Sequence, residues 1–171
     1  MQVVRILLVD DEVNVLAALG RLLRRAFGTA AYIETCAQPG LALQRISEAS
    51  FDVVVSDYRM PGMDGLQLLG ACRQLQPETT RVILSGITDF DVLMSAINDV
   101  GIMRFMLKPW DEEEFVSVMC QAVAATRKQR LQHSLLDEGV LHDLPADEPG
   151  VLHVRRGPHD DPLLDVDRRS P

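Results

Sequence analysis

The sequence predicts a doubly wound α/β domain, with a five-stranded parallel sheet covered by helices on both faces. Three observations predict it. Apolar runs of four to six residues alternate with longer stretches of helical period along most of the chain. The run Val53-Val54-Val55 is β-branched and apolar at successive positions, the pattern of a strand buried on both sides. Asp10, Asp11 and Asp57 each stand directly after such runs, where the ligand crevice of an open α/β sheet lies.

Each element follows in order. Residues 3–9 read as the first strand. Residues 14–27 carry Val15, Leu16, Leu19, Leu22 and Leu23 at helical spacing, and Gly28 stops that helix. Residues 32–36 form a second, less apolar strand. Pro39 opens a helix to about residue 47, with Leu41, Ala42, Leu43 and Ile46 as its inner face. Residues 53–56 are the third strand. The loop 57–65 contains Pro61, Gly62 and Gly65 as turn signals, and residues 66–74 form a helix. Residues 82–85 are the fourth strand. Asp89 or Asp91 caps a fourth helix to about Val100, which Gly101 ends. Residues 104–107 are the fifth strand. Asp111 to Glu114 open the last helix, where acids complement the helix dipole. Its inner face is Phe115, Val118, Met119, Ala122 and Val123. Crossovers between such parallel strands are right-handed.

Residues 1–126 therefore constitute the folded domain, and 127–138 extend the last helix. Leu131, Leu135 and Leu136 give the extension a thin apolar stripe, which suits a short coiled coil or an amphipathic end equally. Residues 139–171, with five prolines among Asp and Arg, read as a disordered tail. Gly139-Val140-Leu141-His142 returns as Gly150-Val151-Leu152-His153, too short a repeat to imply a solenoid.

The chain has 171 residues, 47% of them hydrophobic, and a net charge of −8. A pI near 4.9 argues against binding nucleic acid through the surface field. No apolar stretch reaches the roughly 20 residues that span a bilayer, and the N-terminus lacks a signal-peptide pattern, so a cytoplasmic location is expected. Cys36, Cys72 and Cys120 are widely spaced within apolar-periodic segments, which suggests reduced, buried thiols. His133, His142, His153 and His159 are dispersed and read as inert.

Parallel strands would bring Asp10, Asp11, Asp57, Ser85 and Lys108 to one sheet edge. Carboxylates that close repel one another and call for a cation. A hard, oxygen-loving ion such as Mg²⁺ fits, and such a site can receive a phosphoryl group.

Val9-Asp10-Asp11-Glu12, Asp57-Tyr58-Arg59-Met60-Pro61-Gly62-Met63-Asp64-Gly65, Ser85-Gly86 and Lys108-Pro109 together resemble the receiver domain of bacterial two-component response regulators. The resemblance runs from about residue 4 to 125. It implies the flavodoxin-like strand order 2-1-3-4-5. It makes Asp57 the phosphoacceptor, supplied by a sensor histidine kinase in a Mg²⁺-dependent reaction. Asp11, Asp57 and the Arg59 backbone carbonyl would be metal ligands, with Asp10 acting through water. Lys108 would hold a phosphoryl oxygen, aimed by a cis bond to Pro109. Ser85 would donate its hydroxyl to the phosphoryl group, or be a strand-end turn residue. Phe105 would be the aromatic switch, or a plain core phenylalanine. Gly86 leaves the pocket open, while Arg59 and Ile87 flank it and would lengthen the phosphoryl lifetime. Lys108-Pro109-Trp110-Asp111 resembles the version found in receivers joined to cyclic-di-nucleotide hydrolases or transcription activators, although Trp110 also suits core packing or a helix cap.

The leading expectation is a phosphorylation switch. Its output face would be formed by the fourth helix, fifth strand and fifth helix, read by a partner or by a second copy in a homodimer. The chain would catalyse only its own phosphorylation and dephosphorylation, and would not be an enzyme with a separate substrate. No helix-turn-helix of adequate length follows, so direct DNA binding is not expected. Four alternatives differ in class. The chain could be a fragment of a larger regulator, or an interaction module independent of phosphorylation. An aspartate-nucleophile phosphohydrolase would carry Asp-x-Asp after the first strand, whereas the acids here are adjacent. A nicotinamide-binding fold would need G-x-G-x-x-G there, and none is present.

Overall fold

The structure, a computed structural model, describes residues 3–86 and 100–137, with side chains through residue 135. Five parallel strands lie in the order β2-β1-β3-β4-β5: β1 (Val4–Val9), β2 (Ala31–Cys36), β3 (Val53–Asp57), β4 (Thr80–Ser85) and β5 (Arg104–Leu107). The described helices are α1 (Val13–Phe27), α2 (Pro39–Glu48), α3 (Gly65–Leu75) and α4 (Glu112–Asp137). This α4 is the last helix of the sequence reading. The helix expected to end near Val100 falls almost wholly on residues 87–99, outside the described residues, as do Ile87, the tail 139–171 and its histidines.

Period-two alternation divides the core. Ile6, Leu8, Val53, Val55, Val82, Leu84 and Met106 face α1 and α4, joined there by Leu19, Leu23, Phe115 and Met119. Leu7, Val9, Val54 and Ile83 face the other way, onto Ala42 and Ile46 of α2 and Leu68, Leu69 and Cys72 of α3. The central strands are thus apolar at nearly every position because both faces are covered.

The helix ends obey local rules. Gly28 closes α1 at a φ of 54°, its N–H donating to the Arg24 carbonyl. Pro39 stands in the first turn of α2. Asp64 caps α3 in a capping box with Gln67, each side chain accepting from the other residue's backbone N–H.

Three expectations are corrected. Leu41 is exposed rather than on the inner face of α2, because Ala42 and Ile46 already fill that face. Cys120 is exposed on α4, beside the buried Met119 and one residue before Gln121. The fourth strand begins two residues earlier than its apolar run, since Thr80 and Arg81 are buried with their polar groups satisfied. The Arg81 guanidinium donates to the carbonyls of Pro77, Thr79 and Gly101.

The amino edge of the sheet holds a second polar cluster. Thr126 of α4 donates to the Asp52 carbonyl at 2.6 Å and shares a hydrogen bond with Thr80 at 2.8 Å. Arg130 pairs with the Asp52 carboxylate at 2.5 Å, and the Arg5 N–H donates to that same carboxylate at 2.6 Å. No described helix is long and apolar enough to cross a membrane.

Candidate functional site

The register brings the site together at the opposite, carboxyl edge. Val9 pairs with Ser56, and Asp57 pairs with Leu84. Asp10 therefore leaves β1 beside Asp57, the last residue of β3. Ser85 ends β4 beside Leu107, and Lys108 follows β5 with its N–H donating to the Ser85 carbonyl at 2.7 Å. The Lys108-Pro109 bond is cis.

One ammonium serves two carboxylates. Lys108 Nζ lies 2.7 Å from Asp10 Oδ2 and 2.7 Å from Asp57 Oδ1. Asp10 is almost fully buried, and its Oδ1 accepts from the Glu12 N–H at 2.9 Å. Burial raises the Asp57 carboxyl above its ordinary value. The Lys108 hydrogen bond and charge oppose that, the charge of Asp10 adds to it, and the Arg59 N–H opposes it. Burial alone would lower the Lys108 ammonium, but hydrogen bonds and charge from Asp10 and Asp57 outweigh this and raise it. Two anions share one cation: burial prevails at Asp57, and the paired charges prevail at Lys108.

The other expected residues take varied positions. Asp11 is exposed and borders a groove of about 510 Å³ with Gln38, Pro39 and the loop residues Pro61, Gly62 and Met63. Ser85 is buried, Arg59 is exposed, and Phe105 is half-buried against the core on the α2–α3 side. A Cβ at Gly86 would meet nothing within 4 Å among the described residues. Trp110 packs against Phe115 with ring centroids 6.3 Å apart.

Two residues matter more than their sequence signals suggested. Gly65 reads as a turn glycine, yet a Cβ there would stand 2.1 Å from the Asp57 carbonyl oxygen. Its N–H also donates to the Tyr58 carbonyl at 2.8 Å, closing the loop that follows Asp57. Glu12 completes the acidic run, and its Oε1 lies 3.7 Å from Lys108 Nζ. The capping pattern Asp64-x-x-Gln67 could have located the start of α3 at Gly65. No sequence signal gives the approach to the Asp57 carbonyl.

Among the described residues, no group of three or more His, Cys, Asp or Glu side chains is gathered as a ready metal cage. The donor chemistry nonetheless suits a hard cation. Asp11, Asp57 and the Arg59 carbonyl offer oxygen alone, and burial disfavours the charged form of Asp57, which a cation would relieve.

This sheet order, with carboxylates and a lysine at its carboxyl edge, defines a flavodoxin-like α/β domain with an acidic site. The family model of the response regulator receiver domain matches residues 6–119, and the chain belongs to that family. Receiver domains of this kind are signalling modules of two-component systems. The hydrogenase transcriptional regulatory protein HoxA of Cupriavidus necator is 32% identical over 130 residues, 76% of this chain and 26% of that protein. The DNA-binding transcriptional regulator NtrC of Escherichia coli K12 is 30% identical over 148 residues, 86% of this chain and 31% of that protein. The chain thus spans about a quarter to a third of these relatives. Among solved structures, the signal receiver domain of an HD domain-containing protein from Pseudomonas fluorescens Pf-5 aligns with a TM-score of 0.70 at 32% identity. That alignment covers 76% of this chain and 93% of the other.

Proposed function

We propose that Asp57 accepts a phosphoryl group from a sensor histidine kinase and that the chain acts as a phosphorylation-controlled switch. The observation that carries this reading is the single Lys108 ammonium at 2.7 Å from both Asp10 and Asp57, at the carboxyl edge of the sheet. A carboxylate can attack phosphorus to form an aspartyl phosphate. The transfer needs positioning and charge neutralisation more than covalent assistance. Lys108 is already aimed at the Asp57 oxygen, and its flexible stem lets it follow a phosphoryl oxygen once the bond forms. Ser85, buried at the adjacent strand end, supplies the hydroxyl donor for that group.

Asp11, Asp57 and the Arg59 carbonyl would hold Mg²⁺, with Asp10 acting through water. The ion's chemistry there is to neutralise charge on the phosphoryl oxygens. Phe105 acts as the packing switch that follows Ser85, and Arg59 and Ile87 tune the phosphoryl lifetime. Residues 1–126 make the receiver and 127–138 extend α4. The output face combines β5 with the last helix and the helix expected before it, and it serves a partner or a second copy of the chain.

The test is labelling with acetyl phosphate and Mg²⁺, read by mass spectrometry. Wild type gains one phosphoryl group and Asp57→Asn gains none. Label that persists in the variant removes Asp57 from this role. A second reading, that the chain is one segment of a larger regulator, is favoured by its spanning only 26% and 31% of its relatives. Their transcriptional output is then the class of effector to look for beyond this segment.

A further inference from the structure

Lys108 has three N–H donors, and two of them are committed at 2.7 Å to Asp10 and Asp57. Glu12 Oε1 lies 3.7 Å from the same nitrogen, beyond a hydrogen bond but within ion-pair reach. Glu12 is 67% exposed, so its carboxylate stands at the mouth of the site while Asp10 and Asp57 stand inside it. Its main chain is fixed. The N–H donates to Asp10 Oδ1, and the carbonyl accepts from Val15 and Leu16 in the first turn of α1. Its side chain makes no capping hydrogen bond to that helix. The position is therefore rigid at the backbone, and the carboxylate is free of a helix-capping duty.

We infer that Glu12 slows loading of the site by competing with the incoming phosphodonor for the third hydrogen of Lys108. This rests on the reading of Asp57 as phosphoacceptor. An approaching phosphoryl group must bring an oxygen to Lys108, whose 2.7 Å partners among the described residues are Asp10 and Asp57 and which Glu12 flanks at 3.7 Å. A carboxylate there opposes the donor by withholding part of the ammonium's charge. Glu12 is thus a positioning residue that acts through Lys108 and takes no part in bond making. Because the pair is long and its Glu12 half is mostly exposed, its influence is a tuning of rate rather than an on–off gate.

The experiment follows loading by acetyl phosphate with Mg²⁺ through Trp110 fluorescence, in wild type, Glu12→Gln and Glu12→Ala. Both variants load about two- to fivefold faster, the range of an exposed ion pair, and the advantage shrinks as salt is added. Beryllofluoride titrations with and without Glu12→Gln, in the wild-type and Lys108→Ala backgrounds, form the second arm. The Glu12 substitution lowers the midpoint in the first background and leaves it unchanged in the second, because the residue through which it acts is gone. Unchanged or slower loading in folded Glu12 variants overturns the inference. So does an equal gain in the Lys108→Ala background, which would make Glu12 a general repulsive charge. A wild-type chain that takes no label at all sinks the Asp57 reading beneath it; a labelled wild type with inert Glu12 variants sinks only this one.

Discussion

Asp57 is held by an ammonium that it shares, and that arrangement has an energetic consequence. Its folded pKa is raised by burial, so the group's contribution to stability is full below the ordinary carboxylate pKa and lost as pH rises through the folded value. At neutral pH the ionised side chain therefore opposes folding. Asp57→Asn, measured in chelator by thermal denaturation, should raise Tm by several degrees at pH 7 and by much less at pH 3. A lower Tm at pH 7 would show that Lys108 compensates Asp57 fully. Cys72 gives an independent case on the alkaline side. Burial pushes its thiol from 9.0 up to about 11, with the charge of Arg81 opposing. Its contribution is present below pH 9 and is lost as pH climbs through about 11. Over that window wild type should lose about 2–3 kcal/mol that Cys72→Ala does not lose, compared by urea melts at each pH. A thiol reagent at pH 8 should modify exposed Cys120 quickly and leave Cys72 untouched until the chain unfolds. The acids and Lys108 were legible in the sequence because strand ends and charge declare themselves. The exposure of Cys120 was not, since its neighbours on both faces of α4 read as similarly small or apolar.

At the scale of elements, the loop between β3 and α3 is fixed from both ends. Asp64 and Gln67 set the helix start, and Gly65 then passes so close to the Asp57 carbonyl that only a hydrogen fits. Gly65→Ala must move either the end of β3 or the first turn of α3. Overpacking of this kind costs about 1–3 kcal/mol or more, and here the atom met is backbone. Urea denaturation should register that loss, and acetyl phosphate labelling should fall with it; a variant of wild-type stability would mean the strand end yields freely. The sequence supplied the glycine and the turn, but the contact depends on how far α3 leans toward β3, which is a tertiary fact. The same limit applies to β4. Thr80 and Arg81 look like loop residues until Thr126 and the carbonyls of Pro77, Thr79 and Gly101 are seen to receive them. Period-two and period-3.6 patterns locate elements whose burial is apolar. They are silent where burial is satisfied by hydrogen bonds between elements far apart in sequence.

On the scale of the whole molecule, the sheet has two polar ends and an apolar middle. Asp52 and Asp57 bracket β3, five residues apart along a strand that rises ~3.3 Å per residue, so about 16 Å separates the clusters. Between them lie Val53, Val54, Val55 and Ser56, all buried. Such a strand is a stiff spacer, and substitutions that far apart without shared partners usually add within about 0.5 kcal/mol. Arg130→Ala should destabilise the fold by about 1–3 kcal/mol, because Asp52 is left half-compensated at the amino edge. Mg²⁺ with beryllofluoride should stabilise the fold from the carboxyl edge, by about 2.7 kcal/mol at a hundredfold excess over Kd. If the two ends are independent, the variant shows the full ligand-induced rise in Tm from a lower starting point. If filling the site reorganises the sheet as far as the docking of α4, the ligand increment in Arg130→Ala departs from the wild-type increment by more than the additivity limit. The geometry favours the first outcome. Thr126 still joins α4 to the Asp52 carbonyl and to Thr80 when Arg130 is gone, and both hydrogen bonds lie on the side of the sheet away from Lys108. Thermal melts of the two proteins, each with and without ligand, decide between independence and coupling in a single cycle.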